Sequence, residues 1–476
     1  MSARDDFDSE QAPPERPELA SELLDLRDKP AEPLAPSPLA LGVWELAWPT
    51  MISALLQTGV RWVDFMMVGS LGTEAVAAVG LGGQVYWFIQ SAVMAITTGL
   101  VALIARAIGA RDPDLADRTL RQGIVCGIAL GVVLTVAGLP LSEFAIGVYG
   151  VEAQVVAFGS SYLDWLLIGN VPFTLVFVFA AGLRAAGDVR TPLYVGILAN
   201  LLNVFLNWVL IFGRLGAPEL GVSGAAIASS LAMGFQVVVF WVLWQRGRLV
   251  LEPLGAGFRL DPGLVRRILR IGYPATIEGA VWHFGLLFFM RIMSSFGTAE
   301  IAAYQIGAQI LALSFIPGSG FAMAGATLVG RHLGEGNSAA ATRSGWRAVG
   351  GCVAALSLNG TLIIAFAAPI ARLFIADPQV VSLTVDFIWV LGVSQPLMAV
   401  EFAAGGALRG AGDTRYPLVV VFLGLFLFRL LPATLAAYVF GAPIQWVWCA
   451  LILDYFVKAL LLTIRFARGR WTAIEV

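Results

Sequence analysis

Histidine is nearly absent from this chain: His283 and His332 are the only two in 476 residues. Cysteine occurs three times, at Cys126, Cys352 and Cys449, each inside an apolar run and far from the others. Without paired spacing, these thiols supply neither a zinc site nor a disulfide framework. Two isolated histidines likewise argue against a histidine-built metal centre or catalytic triad, and no metal site is expected. Charge is scarce as well. Only 13% of residues are charged and 58% are apolar, where a soluble domain has about a quarter charged and about half apolar. No glycine-rich phosphate loop occurs, so nucleotide hydrolysis is not the expected source of energy. No clustered nucleophiles or paired acids at one depth point to an enzyme, no cofactor is expected, and nothing suggests a nucleic-acid partner.

Long apolar runs, by contrast, are plentiful. A helix needs roughly 20 apolar residues to cross a bilayer, and twelve such stretches are present. They cover approximately 40–68, 75–105, 119–140, 155–183, 191–213, 221–246, 265–295, 300–330, 343–368, 380–408, 416–440 and 443–466. The fold class is therefore an all-α polytopic membrane protein. Prolines within the runs (Pro49, Pro172, Pro274, Pro317, Pro396, Pro432) do not argue against helices, because neighbours in a membrane re-satisfy the freed backbone groups. Trp44, Trp48, Trp446 and Trp448 fit interfacial anchors. Residues 1–38 hold ten acids and several prolines, which suits a disordered tail rather than a basic, apolar secretion signal.

Arginine sets the orientation. Twenty arginines fall in or beside one set of connections, and only Arg214 and Arg372 in the other. The positive-inside rule places the first set, and with it both termini, in the cytoplasm.

A repeat organises the chain. GLRAAGDVRTP at 182–192 returns as ALRGAGDTRYP at 407–417, with seven of eleven positions identical at an offset of 225. LGTEAVAAVGLG at 71–82 returns at the same offset as FGTAEIAAYQIG at 296–307, and Pro49, Arg106, Gly109 and Arg118 fall on Pro274, Arg331, Gly334 and Arg343. The units are 39–246 (helices 1–6) and 264–470 (helices 7–12), joined by a cytoplasmic linker at 247–263 and followed by a tail at 471–476. Six spans per unit, an even number, make the two lobes a parallel repeat related about the membrane normal. Within the repeated phrase, Gly187 and Gly412 suit helix C-termini. Arg184 and Arg409 fall in the last helical turn, facing its negative end. Asp188 and Asp413 are placed to cap the following helix, whose first turn takes Pro192 or Pro417.

The phrase, together with DFMMVGSLG at 64–72 and NVFLNWVLIFG at 203–213, resembles the multidrug and toxic compound extrusion (MATE) family over nearly the whole chain past residue 39. The resemblance implies a twelve-helix transporter with two six-helix lobes. It also implies a secondary active exporter of amphipathic, often cationic compounds, working in exchange for protons or sodium in the cytoplasmic (inner) membrane. A lipid-linked oligosaccharide flippase of the same superfamily is the alternative; twelve spans and few arginines in the membrane argue against it. The expected partners are small amphipathic substrates and the bilayer, and the expected state is a monomer.

An ionised side chain in mid-membrane costs about 2.5–3.5 kcal/mol on insertion scales, so each one needs a reason. The resemblance assigns ion or proton coupling to Asp64, with the amide pair Asn203 and Asn207 beside it; some family members carry a carboxylate where Asn207 stands. Arg61, three residues from Asp64 on the same helix face, is the candidate for a structural ion pair with it. Gln57 and Asn170 are candidates either for the same cavity or for hydrogen bonds between helices. Glu278 and Glu401 are the buried acids of the second half, each about one turn from the family's sodium-type acids, and this leaves protons ahead of sodium. Asp454 and Lys458, four residues apart, are expected to neutralise each other. Trp87, Phe88, Trp282 and His283 are candidates for the substrate cavity, which is expected to carry few arginines.

Overall fold

The computed structural model describes residues 42–251 and 260–474. The acidic segment at 1–38 lies outside the described residues, as do positions 252–259 of the expected linker and 475–476 of the C-terminal tail.

Each expected stretch is a helix. The first half contains α1 (Val43–Gly69), α2 (Thr73–Gln90 continued as Val93–Gly109), α3 (Pro113–Gly138), α4 (Ala153–Ile168 continued as Asn170–Ala185), α5 (Arg190–Ile211) and α6 (Gly221–Gln245). The second contains α7 (Pro262–Met293), α8 (Thr298–Gly334), α9 (Ser338–Ala365), α10 (Pro378–Gly410), α11 (Arg415–Val439) and α12 (Ile444–Ala467). Ten of these are long and apolar enough to span a bilayer, counting each bent pair as one. The two remaining, α1 and α7, open the two halves, and they carry Arg61 and Asp64 or Glu278 and Arg291. The molecule is a multi-span membrane protein of two pseudo-symmetric six-helix lobes.

Local signals explain the helix ends, and they repeat. Asp112 accepts from the Leu115 amide and Asn337, its counterpart, from the Ala340 amide, both at 2.9 Å, satisfying orphan donors at the starts of α3 and α9. After α4, the Asp188 amide bonds to the Leu183 carbonyl (2.9 Å) and the Gly187 amide to the Arg184 carbonyl (3.0 Å). Asp413 to Leu408 and Gly412 to Arg409 repeat these distances after α10. This double bond needs a left-handed residue, and Gly187 (φ 96°) and Gly412 (φ 88°) supply it.

Small residues at the junction carry the symmetry. A Cβ on Gly109 would come within 1.9 Å of the Arg331 carbonyl, and one on Gly334 within 2.1 Å of the Arg106 carbonyl. Gly272 abuts the Ala95 carbonyl and Gly320 the Ala47 carbonyl in the same reciprocal way. In each pair, adding 225 to one partner and subtracting it from the other converts one contact into its mate. That is the signature of a two-fold relation, with backbones approaching closely through small residues as membrane helices do.

The halves differ in their bends. In the first, α2 bends by 44° and α4 by 53°, whereas α8 and α10 run unbroken. At the α4 bend the Ser230 hydroxyl donates to the Trp165 carbonyl at 2.9 Å and fills the space beside Gly169. Just beyond it, Asn170 is fully buried, donates to the Gly131 carbonyl (3.2 Å) and accepts from Gln90 (2.9 Å). In the second half α11 widens to π-helix over Gly424–Leu430 and Leu435–Val439. Trp448 is not an interfacial anchor: it is fully buried and packs on Phe387. Trp44 and Trp446 are exposed, as anchors require.

Candidate functional site

A cavity of about 570 Å³ opens in the first half, lined by α1, α2, α4, α5 and α6, with Gln309 of α8 contributed from the second. Asp64 projects into it from α1. The Asn207 amide nitrogen donates to Asp64 Oδ1 at 2.5 Å, and the Asn203 amide, turned to satisfy its neighbours, donates to the same oxygen at 3.1 Å while accepting from Ser229. The i, i+4 spacing on α5 puts both amides on one face. Asp64 thus has neutral donors around it and, among the described residues, no cation within ion-pair distance. Arg61 does not pair with it. Its guanidinium lies 5.2 Å from the centre of the Trp87 ring and 3.5 Å from the Thr58 hydroxyl, a cation–π contact across the cavity wall.

The remaining candidates separate. Gln57 and Trp87 line the cavity, whereas Asn170 is a bond between helices. Phe88 is outside the lining: it meets His283 and Phe284 edge-on where the halves touch. Trp282 packs on His283 and Phe315, and His283 Nδ1 lies 2.8 Å from the Gly279 carbonyl. Phe88 and His283 thus pack between the lobes, and Trp282 packs within the second. The side chains that join the lining without being anticipated there include Tyr162, Ser229, Gln236 and Arg184. None stands out in a sequence: each becomes a wall residue only once α4 packs on α2 and α6 on α5.

Glu278, Glu401 and Asp454 of the second half are all paired. Glu278 meets Arg409 at 2.5 Å, so Arg409 is tied to α7 rather than only facing its own helix end. Lys458 bridges Glu401 (3.4 Å) and Asp454 (3.1 Å), and Asp454 is also paired with Arg429. The expected Asp454–Lys458 pair is therefore part of a four-member network with two charges of each sign. Arg429 sits on the π-helical segment of α11, and the Asp454 and Lys458 side chains crowd Gly424 there. Asp188 accepts from the Thr191 amide (2.9 Å) and caps α5 as expected. Asp413 instead pairs with Arg465 at 2.8 Å.

The model of the MatE family matches the chain twice, over residues 49–209 and 274–435. The chain belongs to the MatE family. The two matches start 225 residues apart, at the offset of the repeat, so each half is one MatE unit. A relative named "Probable multidrug resistance protein NorM" from Thermotoga maritima is 33% identical over 90% of this chain and 92% of its own length. One of the same name from Bradyrhizobium diazoefficiens is 31% identical over 88% and 91%. Among solved structures, a multidrug resistance MATE family transporter in an outward-facing conformation superposes with a TM-score of 0.85 at 23% identity, covering 92% of this chain and 100% of that one. A MOP superfamily transporter from Pyrococcus furiosus superposes at 0.86 with 22% identity, covering 93% and 100%. These likenesses carry the fold.

Of Asp64, Glu278, Glu401 and Asp454, Asp64 alone makes no ion pair. Its cavity holds one carboxylate and two arginines, Arg61 and Arg184, more cationic than the sequence suggested. The reason is the α4 C-terminus, which turns Arg184 inward.

Proposed function

We propose that this protein is a secondary active multidrug exporter that moves amphipathic compounds out of the cell by alternating access, with protons as the coupling ion. One observation carries the reading: among the described residues the only carboxylate lining the cavity, Asp64, is held by two neutral amides and no cation. A carboxylate so placed can take up a proton and release it, and its charge state changes what the cavity binds. Protonation and substrate binding at one site exclude or favour each other, which is the coupling free energy an exchanger requires. Glu401 and Asp454 have no such freedom, since losing their charge would strand buried Lys458 or Arg429. The names of the relatives support multidrug substrates, and the cavity walls of Phe65, Trp87, Phe173 and Phe177 suit amphipathic bodies, cations among them.

The reading includes a monomer in the cytoplasmic membrane with both termini inside and no catalytic activity. The test is substrate efflux from proteoliposomes under an imposed proton or sodium gradient, one ion at a time. Efflux driven by sodium alone refutes proton coupling, and no efflux under either gradient refutes the exporter. Orientation is checked separately. Single cysteines at 111–117 or 184–190 in a cysteine-free background should resist membrane-impermeant thiol reagents in intact cells, and fast labelling overturns it.

A further inference from the structure

The repeat exposes a charge that one half neutralises and the other does not. Arg409, in the second copy of the phrase, pairs with Glu278 on α7 at 2.5 Å. Its mate is Arg184, and the mate of Glu278 at the same offset is Ser53. Ser53 holds no charge: its hydroxyl donates to the Pro49 carbonyl of its own helix at 2.9 Å. Arg184 therefore has no acid across from it. Among the described residues it makes no ion pair, and its Nε is buried without a partner. Both Ser53 and Arg184 line the cavity.

The two ends of the cavity are chemically opposite. Asp64 is near the end of α1 and Arg184 near the end of α4, and the ends of a first and a fourth span lie at opposite faces of a membrane. Along α1, Ser53 and Asp64 are eleven residues apart, about 16 Å at 1.5 Å per residue. Such a gap takes the body of a polycyclic amphiphile. A guanidinium with an unused donor edge, in a low-dielectric wall, is a ready-made site for a planar or tetrahedral oxyanion.

We propose that Arg184, freed by the serine at position 53, is an anion subsite in the cavity that holds the carboxylate or phosphate head of an amphipathic substrate. This rests on the reading of the cavity as the substrate path. It extends the substrate class from cations to acids and zwitterions: an amine is received at Asp64 and an acid at Arg184.

The test is equilibrium binding to the full-length protein in neutral-lipid nanodiscs with two probes sharing one body, 4-(1-pyrenyl)butyrate and a pyrenebutyl-trimethylammonium. Arg184→Gln should weaken pyrenebutyrate by about tenfold or more, the scale of one charge-assisted hydrogen bond, without weakening the ammonium probe. Arg184→Lys should recover part of the loss. Ser53→Glu, which copies the partner that Arg409 has, should weaken pyrenebutyrate as strongly, and Ser53→Gln should not. Equal loss of both probes in Arg184→Gln, or unchanged pyrenebutyrate binding in Ser53→Glu, overturns the subsite. Should Arg184→Gln fail to insert, the Ser53 pair decides alone. Displacement of pyrenebutyrate by a polyprenyl phosphate supports the subsite with a lipid head group as its source; displacement only by soluble aromatic acids supports it with free substrates. Because binding is read without a gradient, a protein that binds both probes and exports neither refutes the exporter and leaves the subsite standing.

Discussion

The two halves share a fold and a phrase but use charge in opposite ways. In the second half, Glu278, Glu401, Asp454, Arg409, Arg429 and Lys458 are matched one against another. In the first, Asp64, Arg61 and Arg184 share a cavity and none is paired with an opposite charge. Duplication supplies the same backbone twice, and divergence then decides which copy keeps charges free. A closed network holds α10, α11 and α12 together and a separate pair ties α7 to α10, whereas the open half leaves charges for ligands. The bends follow the same division: α2 and α4 break around the cavity, while α8 and α10 run unbroken through the neutralised half.

The comparison breaks most visibly if the network is not structural. Lys458 is buried against two acids, and Lys458→Met leaves Asp454 with Arg429 and Glu401 without a partner. We expect a loss of about 3–5 kcal/mol, the cost of stranding a buried charge, read as a lower unfolding temperature in detergent. A second change, Glu401→Gln, which neutralises the acid left without a partner, should restore part of it. If Lys458→Met unfolds at the temperature of the parent protein, the network is not what holds the second half.

A somewhat smaller free energy, but a functional one, is expected at Asp64. Asp64→Asn should insert normally, since a neutral amide is cheaper to bury than a charge. It should reduce gradient-driven efflux by roughly 100-fold, near the upper end of typical coupling between two sites. Normal efflux by an inserted Asp64→Asn protein would move the coupling to the second half and reverse the comparison.

The smallest effect is expected at the edge of the second half. The Glu278–Arg409 pair is partly solvent-exposed, so Glu278→Gln should cost about 1 kcal/mol or less of stability and leave efflux within a few-fold of the parent. Loss of efflux comparable to that of Asp64→Asn would show that both halves couple.

Much of this was legible without coordinates. Apolar runs of about 20 residues mark the helices because no other hydrogen-bonded form suits so long an apolar segment in lipid. The 225 offset marks two lobes, and Gly187 and Gly412 mark helix ends, because these depend on spacing and on backbone dihedrals that few residues tolerate. Asn203 and Asn207 could be grouped because four-residue spacing fixes a helix face, a lone carboxylate at Asp64 demanded a purpose, and the family resemblance placed the two together. The partners of charges were another matter. Arg184 and Arg409 sit in near-identical phrases, yet one meets Glu278 and the other faces Ser53, 131 residues away from either arginine along the chain. Arg61 lies three residues from Asp64 and reaches Trp87 instead. Phe88 and His283 resemble cavity aromatics until the lobes dock and bring them into contact, and Trp282 until α7 and α8 pack together. Sequence by itself determined which segments cross the membrane and how they repeat, because those are local properties of hydropathy and dihedral preference. Only the tertiary structure decided which charges are neutralised and which remain open, because that depends on helices far apart in the chain coming to lie side by side.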